Sequence, residues 1–220
     1  RLAAMGELAS TVAHEVRNPL NAIGMTAQRL RREFLNGDRS ASAPDALELK
    51  ELLDVLGGET KRIDRIVQQF LDYARPPRLS LRQASLRDML EAAAEALRAK
   101  AGTRQITIHS DLAGAGEAVC DPDQLKQAVD NLLRNAIDAT PDGGRVRLQA
   151  RRDGSDHVIE VIDEGPGIPA DIVPKIFDLY FTTKADGTGV GLAVTHQIVE
   201  AHRGRIDVKS SPGAGTRMAV

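Results

Sequence analysis

Tryptophan is absent from this 220-residue chain and aromatic residues make up only 3 % of it, so any core must be aliphatic. Cysteine occurs once, at Cys120 in the apolar run EAVC, which excludes an internal disulfide and reads as a buried, inert thiol suited to a reducing compartment. No apolar run approaches the ~20 residues of a membrane span, and no signal peptide precedes Arg1. Neither sign of charge dominates: a net charge of −2 with acids and bases interspersed gives no electrostatic footprint for nucleic acid or an anionic membrane. The chain starts without methionine, in mid-pattern, and stops on the strand-like TRMAV. It is therefore expected to be a cytoplasmic fragment without membrane contact of its own, with a membrane or sensor segment upstream left open.

What is present falls into two regions of different rhythm. Residues 1–36 and 45–74 read as long helices. In the first, Met5, Ala9, Val12, Val16, Pro19, Ile23 and Leu30 recur at spacings of three and four, with Leu20, Ala27 and Phe34 widening the stripe. In the second, Leu49, Leu52, Leu56, Ile63, Ile66, Phe70 and Tyr73 do the same. NGDRSASAP between them is a polar turn in which Ser42 and Asp45 form a capping box. Two helices alone cannot enclose their stripes, whereas two hairpins about a twofold axis form a four-helix bundle, so a homodimer is expected. Gly57-Gly58 lies within the second helix as a soft point, costing roughly 1 kcal/mol per glycine relative to alanine.

Arg75-Pro76-Pro77 stops that helix, and the pattern changes beyond it. Ser85 to Lys100 reads as an amphipathic helix, ITIHSDL as a short strand, and Asp121-Pro122 as the start of a helix running to about Ala139. Strands follow at RVRLQA and HVIEVID, joined through Asp153-Gly154, and again at RIDVKS and TRMAV. The expected fold class is α+β: a helical hairpin over residues 1–75, then an α/β sandwich over 76–220 with a mixed sheet and helices on one face.

HEVRNPLNAI holds the first chemical signal. At about 100° per residue His14 points away from the Val12–Val16–Pro19–Ile23 stripe, towards solvent, with Asn18 one turn on. Pro19 removes the hydrogen bond to the carbonyl of Glu15. Asn18 could instead cap a new helix with Pro19 at its first position. The stripe keeps its phase through Asn18-Pro19, which favours one kinked helix. An exposed imidazole is largely neutral at pH 7 and is a competent nucleophile, with a carboxylate to orient it and accept its proton.

Three further pieces would supply a donor. NLLRNAIDAT puts Asn131 and Asn135 four apart on one helix edge, where amide oxygens suit Mg²⁺. DEGPGIP sets Asp163 at a strand end, able to accept from an exocyclic amine, with Gly165 and Gly167 letting a base approach the backbone. GTGVGLAV places Gly187, Gly189 and Gly191, with Thr188 between, at a helix start whose free amides and dipole suit phosphate.

Order and spacing together resemble the Bergerat ATP-binding fold of the GHKL superfamily. With HEVRNP upstream, the whole chain resembles the catalytic region of a two-component sensor histidine kinase, nearest the nitrogen-regulation type. The H box is matched at His14, Glu15, Asn18 and Pro19, the N box at Asn131 and Asn135, and the first glycine box at Asp163, Gly165 and Gly167. FDLYFTTK, with Phe177 and Phe181, is the F box, and Gly187, Gly189 and Gly191 are the second glycine box. The resemblance implies that His14 accepts the γ-phosphoryl of ATP with Glu15 as base, that Asn135 holds Mg²⁺ with Asn131 beside it, and that Asp163 reads adenine. It implies that Thr216 supports adenine through water, that Asn18 helps remove phosphate from the regulator, and that the partner is a response-regulator receiver domain. KAD is very short for an ATP lid. Lys184 is expected to compensate for the little that covers the phosphates. Asp138 stands where the family often has a basic residue, so phosphate neutralisation is expected to come from elsewhere. Two competitors remain: a GHKL ATPase of the gyrase or Hsp90 kind, which has a glutamate where Asn131 stands, and a dimeric scaffold that only senses nucleotide.

Overall fold

The stripe that passes through Pro19 belongs to a single helix. In the computed structural model α1 runs from Leu2 to Leu30 without a break, so Asn18 is interior to a helix and caps nothing. The structure describes residues 2–31, 46–74, 79–184 and 187–220, with the side chains of 2–15, 46, 65 and 68–74 left out. NGDRSASAP with its Ser42–Asp45 box, the Arg75-Pro76-Pro77 joint and the last two residues of KAD lie outside the described residues. The chain divides into two compact units, Arg1–Ala74 and Arg75–Val220.

The first unit is the hairpin of α1 and α2, the latter spanning Ala46–Ala74. Pro19, Leu52 and Ile66 are buried, and Val16, Ile23, Leu30, Leu49, Leu56 and Ile63 are half-buried along the same stripes. Of the residues expected to widen the stripe, Leu20 is 51 % exposed, Ala27 is exposed as well, and Phe34 lies outside the described residues; Met25, Leu53, Val55 and Val67 also face solvent in the single chain. Covering a side chain of this size contributes roughly 1.5–3 kcal/mol, so burying these side chains against a partner would favour association. Gly57 and Gly58 continue α2, and a Cβ at either would meet nothing within 4 Å in the single chain.

The second unit begins with two strands too short to show an alternation in sequence. β1 (Arg82–Ser85) pairs antiparallel with β3 (Glu117–Cys120). Their ends fix two helix starts. Ser85 caps α3 (Leu86–Gly102), its hydroxyl accepting the Asp88 amide at 3.2 Å. Asp121 follows β3 and caps α4 (Pro122–Ala139), one carboxylate oxygen accepting the amides of Asp123 and Gln124 at 3.1 Å and the other that of Ser80 at 2.8 Å. Burial opposes the Asp121 charge, yet these amides and the neighbouring His202 outweigh it and hold its carboxyl below the ordinary range. Cys120 is buried, and burial raises its thiol, which keeps it inert.

The main sheet has five strands: β2 (Thr107–Asp111), β4 (Arg145–Asp153), β5 (Asp156–Asp163), β6 (Asp207–Ser210) and β7 (Thr216–Ala219). Their order is β2-β4-β5-β7-β6, with β2 parallel to β4 and the other pairs antiparallel. Burial alternates along β4: Val146, Leu148 and Ala150 point into the core while Arg145, Arg147 and Arg151 remain outside. The covered face packs on α3 and α4, whose Leu90, Ala93, Val129, Leu132, Leu133 and Ile137 are almost wholly inaccessible. A fifth helix, α5 (Gly191–Ala201), lies against α4.

Candidate functional site

The polar edge of α4 organises the candidate site. Its apolar face is committed to the sheet, which leaves Asn131, Asn135 and Asp138 on the opposite edge at spacings of four and three. Asn131 donates its side-chain amide to the carbonyl of Gly191 at 3.2 Å, tying α4 to the first residue of α5. Asn135 presents its oxygen to the Lys184 ammonium at 3.1 Å, and the same ammonium lies 3.2 Å from an Asp138 oxygen. The Asn135 oxygen thus already faces a cation.

Asp163 is the last residue of β5, half-buried, and one of its oxygens accepts two backbone amides: Gly165 at 2.8 Å and Thr216 at 3.1 Å. Burial pushes its carboxyl above the ordinary value, against the opposing pull of those amides and of the Lys184 charge. Thr216 is itself held, its hydroxyl 2.9 Å from that of Ser210, which donates to the Gly215 carbonyl. Thr216 therefore acts on Asp163 directly through its amide, a role the sequence does not show.

The glycines divide by cause. Gly167 has φ +75°, and a Cβ there would stand 2.0 Å from the carbonyl oxygen of Ser211, so its own fold requires glycine. Gly165 is close to Ala139, Gly189 (φ +65°) to the Tyr180 backbone, and Gly187 to the Thr182 hydroxyl. Gly191 is different: a Cβ would come no nearer than 3.8 Å to anything. The expectation that all three glycines of GTGVGLAV sit at a helix start holds only for Gly191, because α5 begins there and Gly187, Thr188 and Gly189 form the preceding loop. Gly167→Ala should destabilise the second unit by about 3 kcal/mol or more, through backbone strain and overlap. Gly191→Ala should leave the melting temperature within about 1 °C while weakening nucleotide binding about tenfold, close to 1.4 kcal/mol. Thermal melts beside a binding titration check both.

Phe177 and Phe181 are partly buried against the core, and the Phe177 ring lies 5.4 Å from that of His196. They anchor the segment that carries Lys184. That lysine is set by a turn in which its amide donates to the Thr182 hydroxyl at 3.1 Å and its carbonyl accepts the Gly187 amide at 3.2 Å. His14 and Glu15 lie in α1 of the other unit, with side chains outside the described set, and Asn18 is exposed one turn beyond residue 14. Among the described residues no cluster of histidine, cysteine or carboxylate groups could hold a metal ion, and no helix is long and apolar enough to cross a membrane.

Comparison with known proteins finds relatives of both units. Residues 120–220 match the family described as histidine kinase-, DNA gyrase B-, and HSP90-like ATPase, and residues 4–78 match the His Kinase A (phospho-acceptor) domain. The sensor histidine kinase ZraS of Escherichia coli O157:H7 is 38 % identical over 221 residues, covering 100 % of this chain and 46 % of that protein. Two solved structures are similar at 25 % identity: ThkA in complex with response regulator protein TrrA, with a TM-score of 0.80 over 100 % of this chain and 61 % of that one, and full-length ShkA in complex with AMPPNP, with 0.70 over 97 % and 44 %. The match over residues 120–220 makes the second unit an ATPase-type domain of the histidine kinase, DNA gyrase B and HSP90 class. The chain belongs to the two-component histidine kinases, and it spans about half the length of the curated ZraS proteins it matches.

Proposed function

We propose that this chain is the catalytic region of an ATP-dependent protein histidine kinase, nearest the nitrogen-regulation type and acting in the cytoplasm. Residues 1–75 form the dimerisation and phosphotransfer hairpin, and residues 76–220 the nucleotide unit. The observation that carries the reading is the pairing, within one unit, of an asparagine oxygen already facing a cation with a half-buried carboxylate anchored through one oxygen. The donor set fits Mg-ATP. The second oxygen of Asp163 is left for the exocyclic amine of adenine. Asn135, with the oxygen of Asn131, suits Mg²⁺, which neutralises phosphate charge when bound. Gly165, Gly167, Gly187, Thr188, Gly189 and Gly191 shape the loops that surround the nucleotide, and α5 offers its free amides to phosphate.

An imidazole nitrogen of His14 forms the bond to the γ-phosphorus as the bond from that phosphorus to the β,γ-bridging oxygen breaks. ADP leaves, and the imidazole proton passes to Glu15. The two units must come together for this step. A receiver-domain aspartate oxygen then takes the phosphoryl group as the phosphorus–nitrogen bond breaks. Asn131 commits its amide to the Gly191 carbonyl and cannot serve as a base for water, which favours transfer over hydrolysis. Exposed apolar side chains flanking the stripes, Leu20 on α1 and Leu53 and Val67 on α2, fit a second copy of the hairpin. Incubating the labelled phospho-chain with a receiver domain tests the reading: label should move to an aspartate of that domain, and label that stays on the chain or appears only as free phosphate without an aspartyl intermediate contradicts it.

Asn18 supports a second activity. Because it is exposed and inside an unbroken helix, its amide is available to orient water against a phospho-aspartate docked beside His14. Asn18→Ala should slow regulator dephosphorylation about tenfold or more, near 1.4 kcal/mol of barrier per tenfold, while self-phosphorylation and melting temperature hold. Parallel loss of all three would assign Asn18 to helix stability.

A further inference from the structure

An acid at the phosphate end of a nucleotide site opposes the binding of a polyanion, yet Asp138 stands on α4 three residues beyond Asn135. The structure resolves the conflict by counting charges. One Asp138 oxygen lies 2.7 Å from the Lys100 ammonium of α3, and the other 3.2 Å from that of Lys184, which also reaches the Asn135 oxygen at 3.1 Å. One negative charge thus gathers two positive ones, from elements far apart in sequence, and the local sum is positive. Burial works against ionisation of Asp138, but the two lysines outweigh it and keep its carboxyl below the ordinary range. All three side chains are between a third and a half exposed, and ion pairs of that kind exchange partners readily. The Thr182 hydroxyl and the Gly187 amide hold the amide and carbonyl of Lys184, so the direction of its long side chain depends on what holds its end.

We propose that Asp138 is a positioning residue that holds the Lys184 ammonium beside the Asn135 oxygen and so aims it at the terminal phosphate of a nucleoside triphosphate. The proposal rests on the nucleotide reading above and adds to it how a chain with an acid at this position still presents a cation there. Lys184 would move from carboxylate to phosphate when the nucleotide binds. A diphosphate, lacking the terminal group, would gain little from it.

The test uses the full chain, with ADP and a non-hydrolysable ATP analogue titrated in Mg²⁺, and the rate of Lys184 acylation by an amine-reactive reagent in the nucleotide-free protein. Lys184→Ala should weaken the triphosphate analogue about tenfold and ADP by less than about twofold. Asp138→Asn should weaken the analogue about three- to fivefold with ADP unchanged, and should speed Lys184 acylation, whereas Asp138→Glu should keep both near the original values. Joining Lys184→Ala to Asp138→Lys moves the ammonium onto α4 and should restore much of the lost triphosphate affinity. Equal losses for ADP and the analogue in Asp138→Asn, or an unchanged acylation rate, would overturn the assignment and leave Asp138 as a tie between α3 and α4. Failure of the unaltered chain to bind either nucleotide would overturn the reading of the site, and the proposal with it.

Discussion

His14→Gln should abolish incorporation of label from γ-labelled ATP while leaving nucleotide affinity within about twofold of the original. The reason is separation: residue 14 belongs to the hairpin unit, and every candidate nucleotide contact belongs to the other. Glutamine keeps the length and polarity of the side chain at a helical position, so the hairpin should be unaffected. Without a nucleophile the rate should fall to background, a loss of many orders of magnitude. Label retained in the variant would move the acceptor to His109, His157, His196 or His202, all in the second unit.

Asp163→Asn should cost nucleotide binding about 100-fold or more, on the order of 3 kcal/mol, with little change in melting temperature. The fold should persist because an amide oxygen in the place of the carboxylate oxygen still accepts from Gly165 and Thr216. The other oxygen becomes a donor and would face the donor of adenine. The same change should raise relative affinity for an inosine nucleotide, whose six-position oxygen accepts. Acidification should act in the same direction in the unaltered chain. Burial raises the Asp163 carboxyl, so its acceptor is present above the shifted value and is lost, as pH falls, sooner than for an ordinary aspartate. Calorimetric titration with ADP and its inosine counterpart across pH checks all three statements. An equal loss for both bases would mean that Asp163 supports the loop and does not read the ring.

The parts of this chain that were legible in sequence are those set by short-range chemistry. Asp121-Pro122 carries a cap and a proline at the first turn, and α4 begins at Pro122 and ends at Ala139 as expected. Asp153-Gly154 joins β4 to β5 through a glycine with φ +63°, and α1 keeps its stripe through Pro19. What escaped depends on partners far away along the chain. β1 and β3 have four residues each and become strands only by pairing with one another, Arg82 against Cys120. The insertion of β7 between β5 and β6 has no local signature. The glycine signal was visible, but its cause at Gly167 is the Ser211 carbonyl, 44 positions on. The pairing of Lys184 with Asp138 likewise spans 46 positions, and no periodicity encodes it.

The account turns on one chemical bond. The full chain incubated with γ-labelled ATP and Mg²⁺ should acquire label that is lost in acid, survives base, and maps to the peptide containing His14. That is the behaviour of a phosphoramidate. Acid-stable label, label on another residue, or release of phosphate with none on the chain would contradict it.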